Sequence, residues 1–279
     1  MYDALVRLVA SDLDGTLLLP DRTLSPRTVR VLREVVEAGI VLVLVSARPP
    51  RTLRPLAQEL QAKGLAICCN GALIYDLDGA AIVQHWPCPP EVVQTLVRRL
   101  RELAPGVSFA LELGEAYGCE TNTDAWNPRV WTGATQVVDV LELCHLPVTK
   151  MLVRHPTIER DALLAVIQDL GGEAVRATHS GAPFVEVSAG GIEKASALAW
   201  LAHSLGILQQ DVVAFGDMPN DLAMIGWAGH SVAVANAHPA VLAAADEVTL
   251  SHVDDGVAVA LERMLRERQV PLAGPMGGE

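Results

Sequence analysis

The stretch Leu5-Val6-Arg7-Leu8-Val9-Ala10-Ser11-Asp12-Leu13-Asp14-Gly15-Thr16 decides how this chain is read. Leu5 to Ser11 has the length and apolar content of a buried strand, and it runs directly into two carboxylates at i and i+2 with a glycine behind them. In an open α/β sheet, ligands bind beyond the carboxyl ends of the strands. Two Asp residues there would set one nucleophile and one acid/base beside a common point. The same tetrapeptide also makes a good turn. The chain contains it a second time, as Asp76-Leu77-Asp78-Gly79 between the strand-like runs Ala72 to Tyr75 and Ala81 to Trp86, where a hairpin turn is expected. Taken alone, Asp12 to Gly15 fits either role.

Working outward, Ser25 to Ala38 carries helical periodicity (Val29, Leu32, Val36) and stops at Gly39. Ile40 to Val45 and Ala66 to Cys69 are short β-branched or apolar runs of strand length. The pattern returns late, with a helix from Ile192 to Leu205, a strand at Val212 to Phe215, a helix at Asp221 to Ala228, a strand at Ser231 to Val234 and a last helix at Gly256 to Arg268. Apolar strands alternating with helices imply an α/β fold with a parallel sheet covered on both faces. The middle differs: a helix at Pro90 to Leu103, strands at Val107 to Leu113 and Val148 to Val153, a helix at Ile158 to Leu170, then strands at Glu173 to Thr178 and Phe184 to Val187. Strands grouped after helices suggest an α+β unit. The expected organisation is a discontinuous α/β core (1–84 and 188–270), an α+β domain inserted at 85–187, and a frayed tail at 271–279.

The 279 residues are 51% hydrophobic, with 33 acidic against 21 basic residues and a net charge of −12. That excludes a disordered chain and argues against a nucleic-acid-binding surface, which needs a basic stripe. The longest clearly apolar run, Ile40 to Val45, is far too short for a membrane span. Met1-Tyr2-Asp3 shows no charged n-region and apolar h-region, so no secretory signal is expected. The five cysteines (68, 69, 88, 119 and 144) form no C-x-x-C pair and are read as free thiols of a cytoplasmic protein. Lysine is rare, at 63, 150 and 194 only, which makes each one worth placing.

Three further segments carry candidate chemistry. Ser46 ends the run Ile40 to Val45 and offers a hydroxyl to a phosphate oxygen or a cap to the next segment. Lys194, after Gly190-Gly191-Ile192-Glu193, opens a helix, where its charge opposes the helix dipole unless an anion is present. In Gly216-Asp217-Met218-Pro219-Asn220-Asp221, Asp217 is either a plain N-cap or, with Asp221, a hard oxygen ligand suited to Mg²⁺.

In this order the four segments resemble the haloacid dehalogenase superfamily of phosphohydrolases. Asp12-Leu13-Asp14-Gly15-Thr16-Leu17 is similar to its first motif, Ser46 to its second, Lys194 to its third, and Gly216-Asp217 with Asn220-Asp221 to its fourth. Asn70-Gly71-Ala72, Asn236-Ala237 and Asp255-Gly256-Val257, with the large insertion between the second and third motifs, resemble the Cof-type branch. Ala47 stands where the second motif usually has glycine, and Met218-Pro219 vary the loop of the fourth. The resemblance implies a Rossmann-like core with an α+β cap, and an Mg²⁺-dependent phosphatase acting on a small phosphorylated metabolite, a sugar phosphate first. It further implies catalysis by Asp12 as nucleophile and Asp14 as acid/base, with Ser46 and Lys194 assisting. Phosphate would be held by Ser46, Ala47, Arg48, Asn70, Gly71, Lys194 and Asn220, and the metal by Asp12, Asp14 through its carbonyl, Asp217 and Asp221. A hexose phosphomutase and a non-catalytic phosphometabolite-binding protein are the alternatives. In the inserted domain, Trp126, Trp131 and Tyr117 are read first as packing and second as stacking surfaces. Arg129 and Arg154 are secondary anion contacts, and His179 a surface residue. Oligomeric state is left open.

Overall fold

The computed structural model describes residues 6–59, 62–120, 135–137, 139–180 and 182–269; the expectations for Trp126, Arg129, Trp131 and the tail 271–279 lie outside them. The described elements run β1 (Leu8–Asp12), α1 (Pro26–Glu37), β2 (Val41–Val45), α2 (Pro50–Glu59), β3 (Leu65–Cys68), β4 (Leu73–Asp76), β5 (Ala81–His85), α3 (Pro90–Leu103), β6 (Ser108–Leu113), β7 (Ala116–Glu120) and β8 (Thr135–Val137). They continue with β9 (Lys150–Arg154), α4 (Arg160–Gly171), β10 (Val175–Thr178), β11 (Val185–Ala189), α5 (Lys194–Ser204), β12 (Val212–Gly216), α6 (Leu222–Trp227), β13 (His230–Val234), α7 (Pro239–Ala244), β14 (Glu247–Thr249) and α8 (Gly256–Gln269).

Eight strands form one sheet in the order β14-β13-β12-β1-β2-β3-β4-β5, parallel from β14 to β3 and antiparallel through β4 and β5. Its strands read as continuous apolar runs because both faces are covered. On one face Val9, Leu44, Val213 and Phe215 pack with Val31, Leu53 and Leu261 from α1, α2 and α8. On the other, Leu8, Ala10, Val43, Val212 and Ala214 pack with Leu198 and Leu201 of α5 and Met224 of α6. The chain proceeds from β1 to β2 in one direction and from β12 to β13 in the other. The gap between β1 and β12 is therefore the topological switch point, where such sheets bind ligands. Asp12 closes β1 there.

A second sheet has the order β10-β11-β9-β6-β7-β8, antiparallel except for β7 with β8. Its outer face packs on α3 and α4 through Phe109, Leu111, Met151, Val153, Val185 and Val187, against Val97 and Leu100 of α3 and Ile167 of α4. Its other face is turned toward the carboxyl ends of the parallel strands.

Local chemistry sets several boundaries. Ser25 caps α1, its hydroxyl accepting from Thr28 N at 3.0 Å, with Pro26 at the first helical position. The buried face of α1 is Thr28, Val31, Leu32 and Val35, and Val36 is 54% exposed, so the periodicity located the helix with its face about one position out of phase. The second Asp-Leu-Asp-Gly is the β4–β5 hairpin turn, with Asp78 N donating to Asp76 Oδ1 at 2.9 Å.

Gly71 shows why glycine is needed after β3. Its φ is +103°, and a Cβ there would stand 2.2 Å from the carbonyl oxygen of Glu193, the residue that leads into α5. Gly71→Ala therefore meets both a left-handed strain of roughly 1–2 kcal/mol and an overpacking cost of about 1–3 kcal/mol. Thermal melting should show a loss of roughly 2–5 kcal/mol; an unchanged melting temperature would contradict this account of how β3 and α5 meet.

Candidate active site

Asp12 leaves β1 with one carboxylate oxygen on a lysine from a distant helix. Lys194 Nζ donates to Asp12 Oδ1 at 2.5 Å and to Asp221 Oδ1 at 2.6 Å, with Lys194 and Asp221 essentially closed to solvent. The conflict noted for a lysine at a helix start is thereby resolved, because the anions it meets are side chains of the chain itself. Asp221 Oδ2 in turn accepts from the backbone N–H groups of Asp217 and Met218 at 3.0 and 2.9 Å, pinning the loop after β12. Thr16 Oγ1 donates to Asp217 Oδ1 at 2.8 Å. Gly15, at φ +88°, lets Asp217 approach, since a Cβ there would lie 2.5 Å from Asp217 Oδ2. The first and fourth segments, 200 residues apart, are thus one structure.

Carboxylate oxygens of Asp12, Asp217 and Asp221 all lie within 4.8 Å of one another and are buried. Burial and the neighbouring carboxylates push Asp12 well above its ordinary value, against the pull of Lys194. Burial, then Asp221, pushes Asp217 up to about 6. For Lys194, burial pulls downward, yet Asp12 and Asp221 outweigh it and hold the ammonium above its ordinary value. Three buried acids thus surround one ammonium. Among the described residues Asp12 Oδ2 and Asp217 Oδ2 accept no hydrogen bond. Hard oxygen donors with surplus negative charge are the donor set that suits a divalent cation such as Mg²⁺. Asp221, with both oxygens engaged by the chain, adds charge and holds the loop.

Asp14 faces a cavity of about 620 Å³ between the two sheets and is clasped by Arg48, whose Nε and Nη2 donate to its two oxygens at 2.7 and 2.5 Å. Arg48, expected at a phosphate, lines the same cavity but has its guanidinium on this carboxylate. Ser46 follows β2 beside Asp12; its hydroxyl accepts from Arg48 N at 3.1 Å, which leaves its own proton to donate. Asp12, Asp14, Ser46, Ala47, Arg48 and Asn220 share the cavity wall. Asn70 and Gly71 stand behind it. Asn70, at φ 57°, receives Asn220 Nδ2 on its Oδ1 at 3.1 Å and donates to Glu186 at 3.3 Å. Asn236 ties Gly15 O to the Ser251–His252 backbone turn, and Asp255 accepts from Thr28 Oγ1, so these two segments brace the loops.

The roof of the cavity comes from the second sheet, and sequence reasoning missed most of it. Arg51 of α2 reaches up to Glu112 with both terminal nitrogens and lies over the Tyr117 ring at 4.4 Å. Lys150 Nζ donates to Glu186 Oε1 at 2.5 Å and to Ala47 O at 2.8 Å. Burial pulls Lys150 down, but Glu186, Cys69 and Glu112 hold it above its ordinary value. The available signal was a lone charge inside apolar strands, as in Leu111-Glu112-Leu113 and Val185-Glu186-Val187. Tyr117 is buried as packing. Arg154 sits at the opposite end of β9 from Lys150. His179 is half-buried, not a surface residue, with Nε2 3.6 Å from Asp161.

Comparison with known proteins followed this geometry. Residues 9–261 match the family of haloacid dehalogenase-like hydrolases. The chain is 31% identical over 264 residues to the pyridoxal phosphate phosphatase YbhA of Escherichia coli (strain K12), covering 90% of this chain and 96% of that one. It is 30% identical over 266 residues to the 5-amino-6-(5-phospho-D-ribitylamino)uracil phosphatase YcsE of Bacillus subtilis (strain 168), covering 93% and 96%. A solved haloacid dehalogenase-like hydrolase from Bacteroides thetaiotaomicron superposes with a TM-score of 0.79 at 31% identity, covering 93% of this chain and 99% of that one.

Proposed function

The chain belongs to the haloacid dehalogenase-like hydrolases, in their Cof-type branch, and is a phosphoric monoester hydrolase; from that premise we propose that it hydrolyses a small phosphorylated metabolite through an aspartyl-phosphate on Asp12, with Mg²⁺ as its cofactor. The observation that carries the proposal is the buried cluster in which Asp12, Asp217 and Asp221 surround Lys194 at the switch point, with Asp14 across the cavity.

A carboxylate oxygen of Asp12 attacks phosphorus. The ester P–O bond breaks as Asp14 gives its proton to the departing alcohol oxygen. Water, losing a proton to Asp14, then attacks phosphorus and releases phosphate and the Asp12 carboxylate. The difficulty is electrostatic: two like unit charges ~4 Å apart repel by about 4 kcal/mol at an effective dielectric of 20. Lys194 lowers that cost from one side, and Ser46 has a proton to offer a phosphate oxygen. Held by Asp12, Asp217 and the Asp14 carbonyl, Mg²⁺ would supply the remaining positive charge. Arg48 keeps Asp14 aimed into the cavity. The sugar-phosphate expectation stands beside the substrates named for the two relatives, each of which carries one phosphate on an organic skeleton. The relatives named above are phosphatases, which favours hydrolysis over phosphomutase or binding roles.

Metal binding has a readout apart from activity. Mg²⁺ at about 100 times its Kd should stabilise the folded chain by about 2.7 kcal/mol. Thermal melting with and without Mg²⁺ should show that shift in the wild type and a much smaller one in Asp217→Asn. Equal shifts in both would remove Asp217 from the metal site.

A further inference from the structure

Charged side chains are seldom fully buried, yet three lie in a row across the cavity side of the second sheet. Glu112 on β6 stands directly opposite Lys150 on β9, and Glu186 on β11 stands opposite Leu152, one pair further along. Residues directly opposite share a face, so all three point toward the parallel sheet. Their exposures are 2%, 3% and 2%. The outer face of the same strands is wholly apolar. Stability does not require the charges, since buried ion pairs replaced by apolar residues of like volume are often neutral or stabilising.

Their hydrogen-bonding capacity indicates what they face. Arg51 engages both oxygens of Glu112. Lys150 uses two of its three N–H donors, on Glu186 and Ala47 O, and lines the cavity with a third donor to spare. Carboxylate lone pairs lie beside that donor, and Leu152 and Phe184 add apolar wall. An adjacent donor and acceptor match a hydroxyl group, which needs one of each. Four roof charges, two of each sign, leave no net attraction for a second phosphate, and Glu112 and Glu186 would repel one directly. Arg22 also lines the cavity, but it is exposed to water.

We propose that Glu112, Lys150 and Glu186 form the leaving-group subsite, and that it selects an uncharged, hydroxyl-bearing skeleton over one carrying a second phosphate at its far end. The proposal rests on the phosphatase reading above and names the substrate class for that same site.

The test is kcat/KM for glucose 6-phosphate, ribose 5-phosphate, pyridoxal phosphate, fructose 1,6-bisphosphate and p-nitrophenyl phosphate, with Mg²⁺ present. A hydroxylated monophosphate should be the best wild-type substrate. In Lys150→Met, the ratio of its kcat/KM to that of p-nitrophenyl phosphate should fall by about 10- to 100-fold, the scale of a lost hydrogen bond to a charged group. Glu112→Gln keeps the side-chain volume and should raise the bisphosphate-to-monophosphate ratio by roughly tenfold. That second variant decides the matter if Lys150→Met does not fold. A wild type that prefers the bisphosphate or p-nitrophenyl phosphate, or variants that lower every substrate equally, would overturn the subsite while leaving the phosphatase reading intact. Absence of turnover on all five, p-nitrophenyl phosphate included, would count against the phosphatase reading itself.

Discussion

Asp12→Asn lowers phosphate release by at least about 10⁴-fold, the order expected when a nucleophile is removed. An amide oxygen is a poor nucleophile and cannot form the acyl phosphate. The substitution is otherwise mild. Asn has the same shape, its Oδ1 can still accept from Lys194, and one of three crowded acids becomes neutral. The folded state should therefore survive, with a melting temperature close to that of the wild type in the absence of metal. Initial rates of phosphate release and a melting curve on the same preparation separate the two effects. A well-folded Asp12→Asn protein that retains a tenth of wild-type turnover would end the covalent account.

Lys194→Ala carries the second large effect, and it acts on both catalysis and stability. Removing one donor that stabilises a transition state costs about 10²–10³-fold in kcat. The ammonium is also the described partner of two buried acids, bonded to Asp12 and Asp221 at 2.5 and 2.6 Å. Truncating one partner of a buried ion pair costs roughly 3–5 kcal/mol, because the remaining charge is left without compensation. Melting without metal should fall accordingly, and Mg²⁺ should recover more stability in this variant than in the wild type. A variant that melts like the wild type and loses little kcat would show that Lys194 is neither the counter-charge of the cluster nor a phosphate contact.

What was legible in the sequence follows from where the chemistry sits. The first strand, the glycine-bearing loop after it and the acidic loop after β12 are local features, each carried by a few adjacent residues. Asp12, Ser46, Lys194 and Asp217 could therefore be chosen as a set from their order alone, and the structure brings them to one switch point. The two copies of Asp-Leu-Asp-Gly show the limit of a motif: Asp76 to Gly79 turns a hairpin, whereas Asp12 to Gly15 ends a buried parallel strand, and only the preceding strand distinguishes them. Pro55 inside α2 obscured that helix. The six-residue α7 and the three-residue β14 are too short to carry a period. The roof was hidden for a different reason. Glu112, Lys150 and Glu186 meet across strands separated by dozens of residues, and no local spacing encodes that pairing.

The central claim is that the phosphoryl group passes through Asp12, and trapping it there is the most direct measurement. Wild-type protein mixed with Mg²⁺ and an excess of its best substrate, quenched in acid within the first turnover and digested, should yield a peptide that contains Asp12 and carries one phosphoryl group. The same treatment of Asp12→Asn should yield none. A phosphoryl group found on any other residue, or phosphate released at the wild-type rate by Asp12→Asn, would contradict the account.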